Sequence, residues 1–258
     1  MMKRIYVPLL IASLIAVTFQ IAHGESANVT GGVKCHSKTF GTFYLHIDGE
    51  LDSTTVEKVR KLLEERKHSK CPMNGDASTI NSLGGSVVAA MEIGRMYRQA
   101  EMPLSVEEGA VCVSACVLVL AGATTRAIQG KVGIHRPFFD KEIAGLTSDK
   151  VRTSYKATIE TLRGYFRDMN VLETLADDML RIEPANVRFL SDAELNYYGL
   201  TPRDPITQEI LDVGQAQKYG IDRREYIRRK AMVDGECWRL TTLDEQLDCR
   251  DRILRLGR

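Results

Sequence analysis

Short apolar segments alternate with segments of helical period over residues 43–135, and this alternation restricts the folds open to the chain more than any other feature. Residues 43–47 and 76–82 have the composition of β-strands, and an amphipathic helix is predicted after each of them. A third strand is predicted within residues 104–113, a helix that is apolar on every side over residues 114–121, and a fourth strand over residues 131–135. Strands that alternate with helices form a parallel sheet with crossover helices, so the sequence predicts an α/β fold.

Residues that could take part in catalysis lie at the carboxyl ends of these predicted strands. This is the edge at which parallel sheets bind ligands. The Gly84-Gly85 pair allows a sharp backbone turn and exposes an N–H group that can donate to an oxyanion. Ser114 begins the apolar helix with the N–H of Ala115 beside it, and His135 ends the next strand. The set predicts that Ser114 is a nucleophile and that His135 is its base.

A structural interpretation of the same residues stays open at this point. A buried helix of small residues needs no catalytic serine, a single histidine often serves a structural role, and most Gly-Gly pairs are only turns. Cys112 and Cys116, two residues to either side of Ser114, are rival nucleophiles if their thiols are free.

The first 24 residues have the pattern of a secretory signal peptide, so the mature protein is expected in the periplasm or outside the cell. Lys3 and Arg4 precede an apolar run over residues 5–17, and a small-x-small cleavage site ends at Gly24. A helix that spans a bilayer needs about 20 apolar residues, and this run is shorter, although an uncleaved N-terminal anchor is the alternative. We predict cleavage near Gly24.

All six cysteines follow the predicted signal peptide, and export favours disulfides over free thiols or a metal site. Proximity in the sequence suggests three pairs, which are Cys35–Cys71, Cys112–Cys116 and Cys237–Cys249. The second pair would brace the turn at Ser114 and remove the two rival thiols. Because the chain has no paired C-x-x-C motif and no Cys/His cluster, we predict no metal and no cofactor.

Charge and segment composition indicate the partners and the domains. Lys and Arg number 35 against 34 Asp and Glu, so the whole chain carries no charge that would draw it to nucleic acid or to anionic lipid.

Residues 25–202 are predicted to form the α/β domain, with a long amphipathic helix over residues 151–169. Residues 203–258 are predicted to form a charged helical extension.

Four motifs together resemble the Clp protease proteolytic subunit and its relatives in the ClpP/crotonase superfamily over residues 43–200. They are, in chain order, INSLGGSVVAAMEIGRMY, the serine turn CVSAC, AIQGKVGIHRP and RFLSDAELNYYGL. A serine turn of this kind in an exported chain is most similar to periplasmic ClpP-like proteins. The resemblance implies a parallel sheet of repeated β-α units with flanking helices, a peptide or protein substrate, no membrane contact beyond export, and self-assembly into a homo-oligomer.

The resemblance also implies roles for single residues. The serine and histidine of the family correspond to Ser114 and His135, and its oxyanion hole corresponds to the N–H groups of Gly85 and Ala115. The catalytic aspartate of the family has no counterpart in this sequence, because Asn186 and a valine stand at the position where it is expected. We predict that the Asn186 amide orients His135 instead, as amides do in some Cys–His enzymes.

Several alternatives to this centre remain. Glu183 or Asp192 could supply the acid, and Lys150 or Lys156 could act as the base, as lysine does in the exported signal-peptide peptidases of the superfamily. A crotonase-type acyl-CoA enzyme would keep the oxyanion hole without a nucleophile, but export separates it from CoA. The sequence therefore predicts an exported serine peptidase, and the alternative is a catalytically impaired ClpP-like scaffold that binds a peptide or a protein partner.

Overall fold

The computed structural model describes residues 26–37, 40–137, 148–200 and 202–257, and the predicted signal peptide lies outside these ranges. The strands in the described residues are β1 (Asn28–Cys35), β2 (Gly41–Asp48), β3 (Met73–Asn81), β4 (Pro103–Val106), β5 (Val111–Val113), β6 (Thr125–Ile128), β7 (Lys131–Ile134) and β8 (Arg188–Phe189). The helices are α1 (Ser53–Lys67), α2 (Val87–Gln99), α3 (Cys116–Gly122), α4 (Ser148–Asp168), α5 (Thr174–Arg181), α6 (Asp192–Tyr198), α7 (Pro205–Lys218), α8 (Arg223–Glu236) and α9 (Leu243–Leu256), with a short 3-10 helix over Cys237–Arg239.

The strands of the described residues form two joined sheets. The first has the order β1-β2-β3-β4-β6, in which β1 runs antiparallel to β2 and the other neighbours are parallel. The second has the order β5-β7-β8, in which β5 and β7 are parallel and β8 is antiparallel. Ser82, directly after β3, pairs with Cys112 in β5 and so connects the two sheets. The predicted α/β fold with a parallel sheet is confirmed.

The strands differ from the prediction in two places. The segment 104–113 was expected to contain a single strand, but a turn at Gly109, whose φ is +81°, separates β4 from β5. Strand β1 was not predicted, yet it pairs along its whole length with β2. Strand β1 has little apolar pattern because it is an edge strand, whose position is fixed by the backbone ladder and by the disulfide between Cys35 and Cys71.

The main core lies between the sheets and the helices that follow them. Strand β2 alternates buried and more exposed positions, with Phe43, Leu45 and Ile47 inside. All seven residues of α3 are buried, as its uniformly apolar sequence predicts. The Tyr165 hydroxyl of α4 donates to the Leu118 carbonyl at 2.6 Å, which fixes the long helix against α3.

Helices α7, α8 and α9 enclose a second, smaller apolar cluster. Its buried members are Ala216, Tyr226, Val233, Cys237, Cys249, Ile253 and Leu254. The disulfide between Cys237 and Cys249 lies inside this cluster, with a Cα–Cα distance of 5.6 Å. The division of the chain at residue 202 stays a prediction, and α7 begins three residues after it.

Candidate active site

Ser114 lies at the carboxyl end of β5, directly before α3, in a conformation that side-chain-bearing residues seldom adopt. Its φ is +58°, in the left-handed region. Its N–H donates to the Gly133 carbonyl at 3.0 Å, and its own carbonyl accepts from the N–H of Val117 at 3.1 Å. The residue is half-buried. The N–H and the carbonyl of Ser114 are therefore both held by hydrogen bonds.

The Gly84-Gly85 turn packs directly against Ser114. A Cβ atom on Gly84 would lie 2.8 Å from the Ser114 Cβ, which is closer than real Cβ atoms approach, and 3.1 Å from the Ala115 nitrogen. Leu51 holds the turn from the other side, because its N–H donates to the Gly84 carbonyl at 2.8 Å and its carbonyl accepts from the N–H of Ser86 at 2.7 Å. The turn and the serine are thus in backbone contact, as their positions at strand ends predict.

Two N–H groups near the serine have no hydrogen-bond partner within the described part of the chain. These are the N–H of Gly85, which is exposed, and the N–H of Ala115, which follows the serine. Because both hydrogen bonds of the bridge between Leu51 and Gly85 use the atoms flanking Gly85, the N–H of Gly85 points away from Leu51. Unpaired N–H groups beside a serine can stabilise an oxyanion.

His135 follows β7, the parallel neighbour of β5. Val113 and Gly133 are register partners, so Ser114 and His135 leave the carboxyl ends of adjacent strands. The His135 side chain is buried, and its Nδ1 lies 2.9 Å from the Arg136 carbonyl oxygen. A carbonyl oxygen only accepts, so this hydrogen bond requires the proton on Nδ1 and leaves a lone pair on Nε2.

Asn186 lies just before β8, the antiparallel neighbour of the strand that precedes His135. Ile134 pairs with Arg188, and Arg136 and Asn186 each lie two residues beyond that pair. Asn186 is exposed and its N–H donates to the Glu183 carbonyl at 2.9 Å. Within the described ranges no hydrogen bond joins its amide to the His135 ring, so its orienting role stays a prediction.

The residues named as alternatives to this centre are all exposed. Lys150 and Lys156 lie on α4, Glu183 lies after α5, and Asp192 begins α6. The structure therefore leaves each of these side chains in contact with solvent.

The three predicted disulfide pairs are present. The Cα–Cα distances are 5.9 Å for Cys35 and Cys71, and 5.2 Å for Cys112 and Cys116. The third pair is the one described in the C-terminal cluster. Since Cys112 and Cys116 are bonded to each other, they are not rival nucleophiles to Ser114.

A buried cluster of charges terminates α3 at the end opposite the serine. Arg126 donates to the carbonyls of Leu120 and Ala121 at 2.8 and 2.7 Å, and Arg98 forms a 2.9 Å ion pair with Asp204. Burial, and then the nearby charge of Arg98, lower the pKa of Arg126 to about 10, although Asp204 opposes this. These guanidinium groups satisfy carbonyls that a buried helix end would otherwise leave unpaired.

Several of these contacts could not be found by sequence reasoning. Leu51, Arg98, Arg126 and the Arg136 carbonyl act through the tertiary arrangement, and no local motif marks them. No helix in the described ranges has the length and apolarity to span a membrane. In the same ranges no group of His, Cys, Asp and Glu side chains has a geometry that could hold a metal ion.

No protein-family model matches the chain, and no curated protein matches it. Solved structures do match, among them two variants of the 1510-N membrane-bound stomatin-specific protease, the second in complex with a substrate peptide. They are 17% and 18% identical to the chain with TM-scores of 0.47 and 0.46, and the match covers 69% and 68% of this chain and 86% and 80% of theirs. ClpP1 from Listeria monocytogenes is 21% identical with a TM-score of 0.44, over 61% of this chain and 88% of its own. At these identities the likeness concerns the fold alone.

Proposed function

We propose that the chain is an exported serine hydrolase that cleaves peptide bonds, with Ser114 as its nucleophile. The conformation of this residue carries the proposal, because Ser114 has a φ of +58° beside two N–H groups that lack partners in the described residues. A serine that merely began a buried helix would have a negative φ. Backbone strain of this kind clusters at active sites, where the surrounding structure maintains it.

The proposed reaction uses these groups in turn. The Ser114 hydroxyl attacks the peptide carbonyl carbon while Nε2 of His135 takes its proton. The N–H groups of Gly85 and Ala115 donate to the oxyanion that forms on the former carbonyl oxygen. His135 then gives the proton to the leaving amine, and water hydrolyses the ester on Ser114 by the same route.

A backbone carbonyl orients the base in this proposal. The hydrogen bond between Nδ1 of His135 and the Arg136 carbonyl selects the tautomer in which Nε2 can accept a proton. In this arrangement the Asn186 amide would add little to the orientation of the ring, because the Arg136 carbonyl already accepts from Nδ1.

Export and domain assignment belong to the same proposal. The described disulfides are of the kind that persist in oxidising compartments, and a signal peptide over residues 1–24 would deliver the chain there. Residues 25–202 would carry the hydrolase, and residues 203–258 would form an appended helical unit. The proposed substrate is a peptide or an unfolded protein, and assembly into a homo-oligomer is part of the proposal.

Hydrolysis of a quenched-fluorescent peptide library of random sequence tests this function. Wild-type protein, with the signal peptide removed and the disulfides intact, should release fluorescence, and Ser114→Ala should not. Binding of the same library without turnover, equal in the two proteins, would favour the scaffold over the hydrolase. Hydrolysis that survives in Ser114→Ala would contradict the assigned nucleophile.

A further inference from the structure

The left-handed conformation of Ser114 needs a restraint on each side of the residue. Its own backbone makes two hydrogen bonds, one to Gly133 across the sheet and one from Val117 within the first helical turn. A residue with a side chain tends to leave this region of φ because its Cβ approaches the following carbonyl oxygen. Relaxation of φ would rotate both the Ser114 side chain and the adjacent N–H of Ala115.

The disulfide between Cys112 and Cys116 closes a loop of five residues, 112–116, that has Ser114 at its centre. Cys112 lies in β5, which is anchored because the N–H of Val113 donates to the Ser82 carbonyl at 2.9 Å. Cys116 is the first residue of α3, whose every residue is buried. The two cysteines are both fully buried, and their Cα atoms are 5.2 Å apart. The bond therefore joins an anchored strand end to an anchored helix start, with Ser114 at the middle of the closed loop.

We infer that Cys112 and Cys116 are positioning residues for the proposed reaction, and that their disulfide holds Ser114 and the Ala115 N–H in the reactive arrangement. The inference rests on the proposed function. It assigns the disulfide to the rate of the chemical step rather than to the stability of the fold, because a small displacement of a nucleophile costs far more in rate than in packing.

The length of the loop that each disulfide closes distinguishes a role in positioning Ser114 from a role in stabilising the fold. A disulfide constrains the unfolded chain more when it closes a longer loop. Cys112 and Cys116 are separated by 4 positions, whereas Cys237 and Cys249 are separated by 12. Loss of the C-terminal disulfide should therefore lower the melting temperature more, although it lies in a different apolar cluster from the serine. The pair Cys237→Ala/Cys249→Ala is thus a matched control.

The experiment measures inactivation by a fluorophosphonate, which forms a covalent bond with activated serines. Wild type, Cys112→Ala/Cys116→Ala and Cys237→Ala/Cys249→Ala are compared well below their melting temperatures, and the rate constant of inactivation is separated from the apparent affinity for the probe. We expect the rate constant to fall by about 100-fold in Cys112→Ala/Cys116→Ala, with affinity within about twofold of wild type. The control should keep both values within about twofold and melt at a lower temperature.

Three outcomes would overturn the inference. An unchanged rate constant of inactivation in a folded Cys112→Ala/Cys116→Ala protein would contradict the positioning role and leave the proposed function standing. A fall in the rate constant in both double variants, in proportion to the fall in their melting temperatures, would have the same meaning. A wild-type protein that does not react contradicts the proposed function and the inference with it. If the alanine pair does not fold, Cys112→Val/Cys116→Ala replaces it, because valine keeps the strand end apolar and of similar volume.

Discussion

A Cβ atom on Gly84 would lie 2.8 Å from the Cβ atom of Ser114, so no residue but glycine fits between the Gly-Gly turn and the serine. The φ of Gly84 is +112°, which also favours glycine. This contact ties the spacing of the proposed oxyanion hole to the position of the nucleophile. Crowding at residue 84 should therefore affect activity more than stability.

Gly84→Ala is expected to lower peptide hydrolysis by about 100-fold, because its methyl group pushes Ser114 and the Ala115 N–H out of position. Gly109→Ala is the matched control. Gly109 also has a positive φ, of +81°, but a Cβ atom there meets nothing within 4 Å. Both variants should lose about 1–2 kcal/mol of stability from backbone strain. Steady-state kinetics and thermal melts of the two variants check this, and equal activity in both would contradict the contact.

His135→Asn is expected to lower the rate of hydrolysis by between about 10² and 10⁴. The asparagine amide can still donate to the Arg136 carbonyl, as Nδ1 does at 2.9 Å, but it provides no basic nitrogen. The control is His36→Ala, at an exposed histidine that contacts Thr42. A His135→Asn protein with wild-type kcat would exclude histidine as the base.

Asn186→Ala is expected to change kcat by less than about threefold, since the Arg136 carbonyl already occupies the Nδ1 side of the His135 ring. The measurement is kcat on the best peptide found in the library. A loss of tenfold or more would show that the Asn186 amide reaches the ring in the substrate complex, as the sequence predicts.

Much of the site could be predicted because its residues follow strands of a parallel sheet. The Gly-Gly pair and Ser114 end their strands, and sheet geometry brings such ends together whatever lies between them in sequence. The three disulfides were also predictable, because each joins neighbouring cysteines in the chain. Local sequence was enough to predict which site residues lie close together wherever the order of the strands brings them together.

Other features could not be predicted, because they depend on contacts between distant segments. Strand β1 is held by pairing with β2 and has little pattern of its own. The hydrogen bond between Nδ1 of His135 and the Arg136 carbonyl uses a backbone atom, which no residue type indicates. The ion pair between Arg98 and Asp204 joins α2 to the start of α7, which are more than 100 residues apart.

Asp204→Asn is expected to destabilise the fold at neutral pH by about 3 kcal/mol, because it leaves the half-buried Arg98 without its counter-charge. The Asp204 side chain is 1% exposed, and asparagine still accepts the N–H of Thr207 that begins α7. Burial raises the pKa of the carboxyl, but hydrogen bonds from Thr207, Asn170 and Arg98 outweigh it, so the pKa lies below its ordinary value of 3.8.

The sign of the pH effect follows from that lowered pKa. The stabilisation by Asp204 is complete above pH 3.8 and is lost as the pH falls through the lower folded-state pKa. Denaturant titrations from pH 7 to pH 2 should show a smaller acid-dependent loss in Asp204→Asn than in wild type. Asp149→Asn, in an exposed pair with Arg152, should change stability by less than about 0.5 kcal/mol. Parallel curves for wild type and Asp204→Asn would contradict the role of the buried carboxylate.

The central claim is that Ser114 is an activated nucleophile, and mapping of a fluorophosphonate adduct tests it most directly. The oxidised protein without residues 1–24 is treated with the probe, digested and analysed by mass spectrometry, with Ser114→Ala and the heat-unfolded wild type as controls. We expect one adduct per chain on the peptide that contains Ser114, and none in either control. An unmodified wild-type protein with its three disulfides intact, or an adduct on another serine that persists in Ser114→Ala, would contradict the claim.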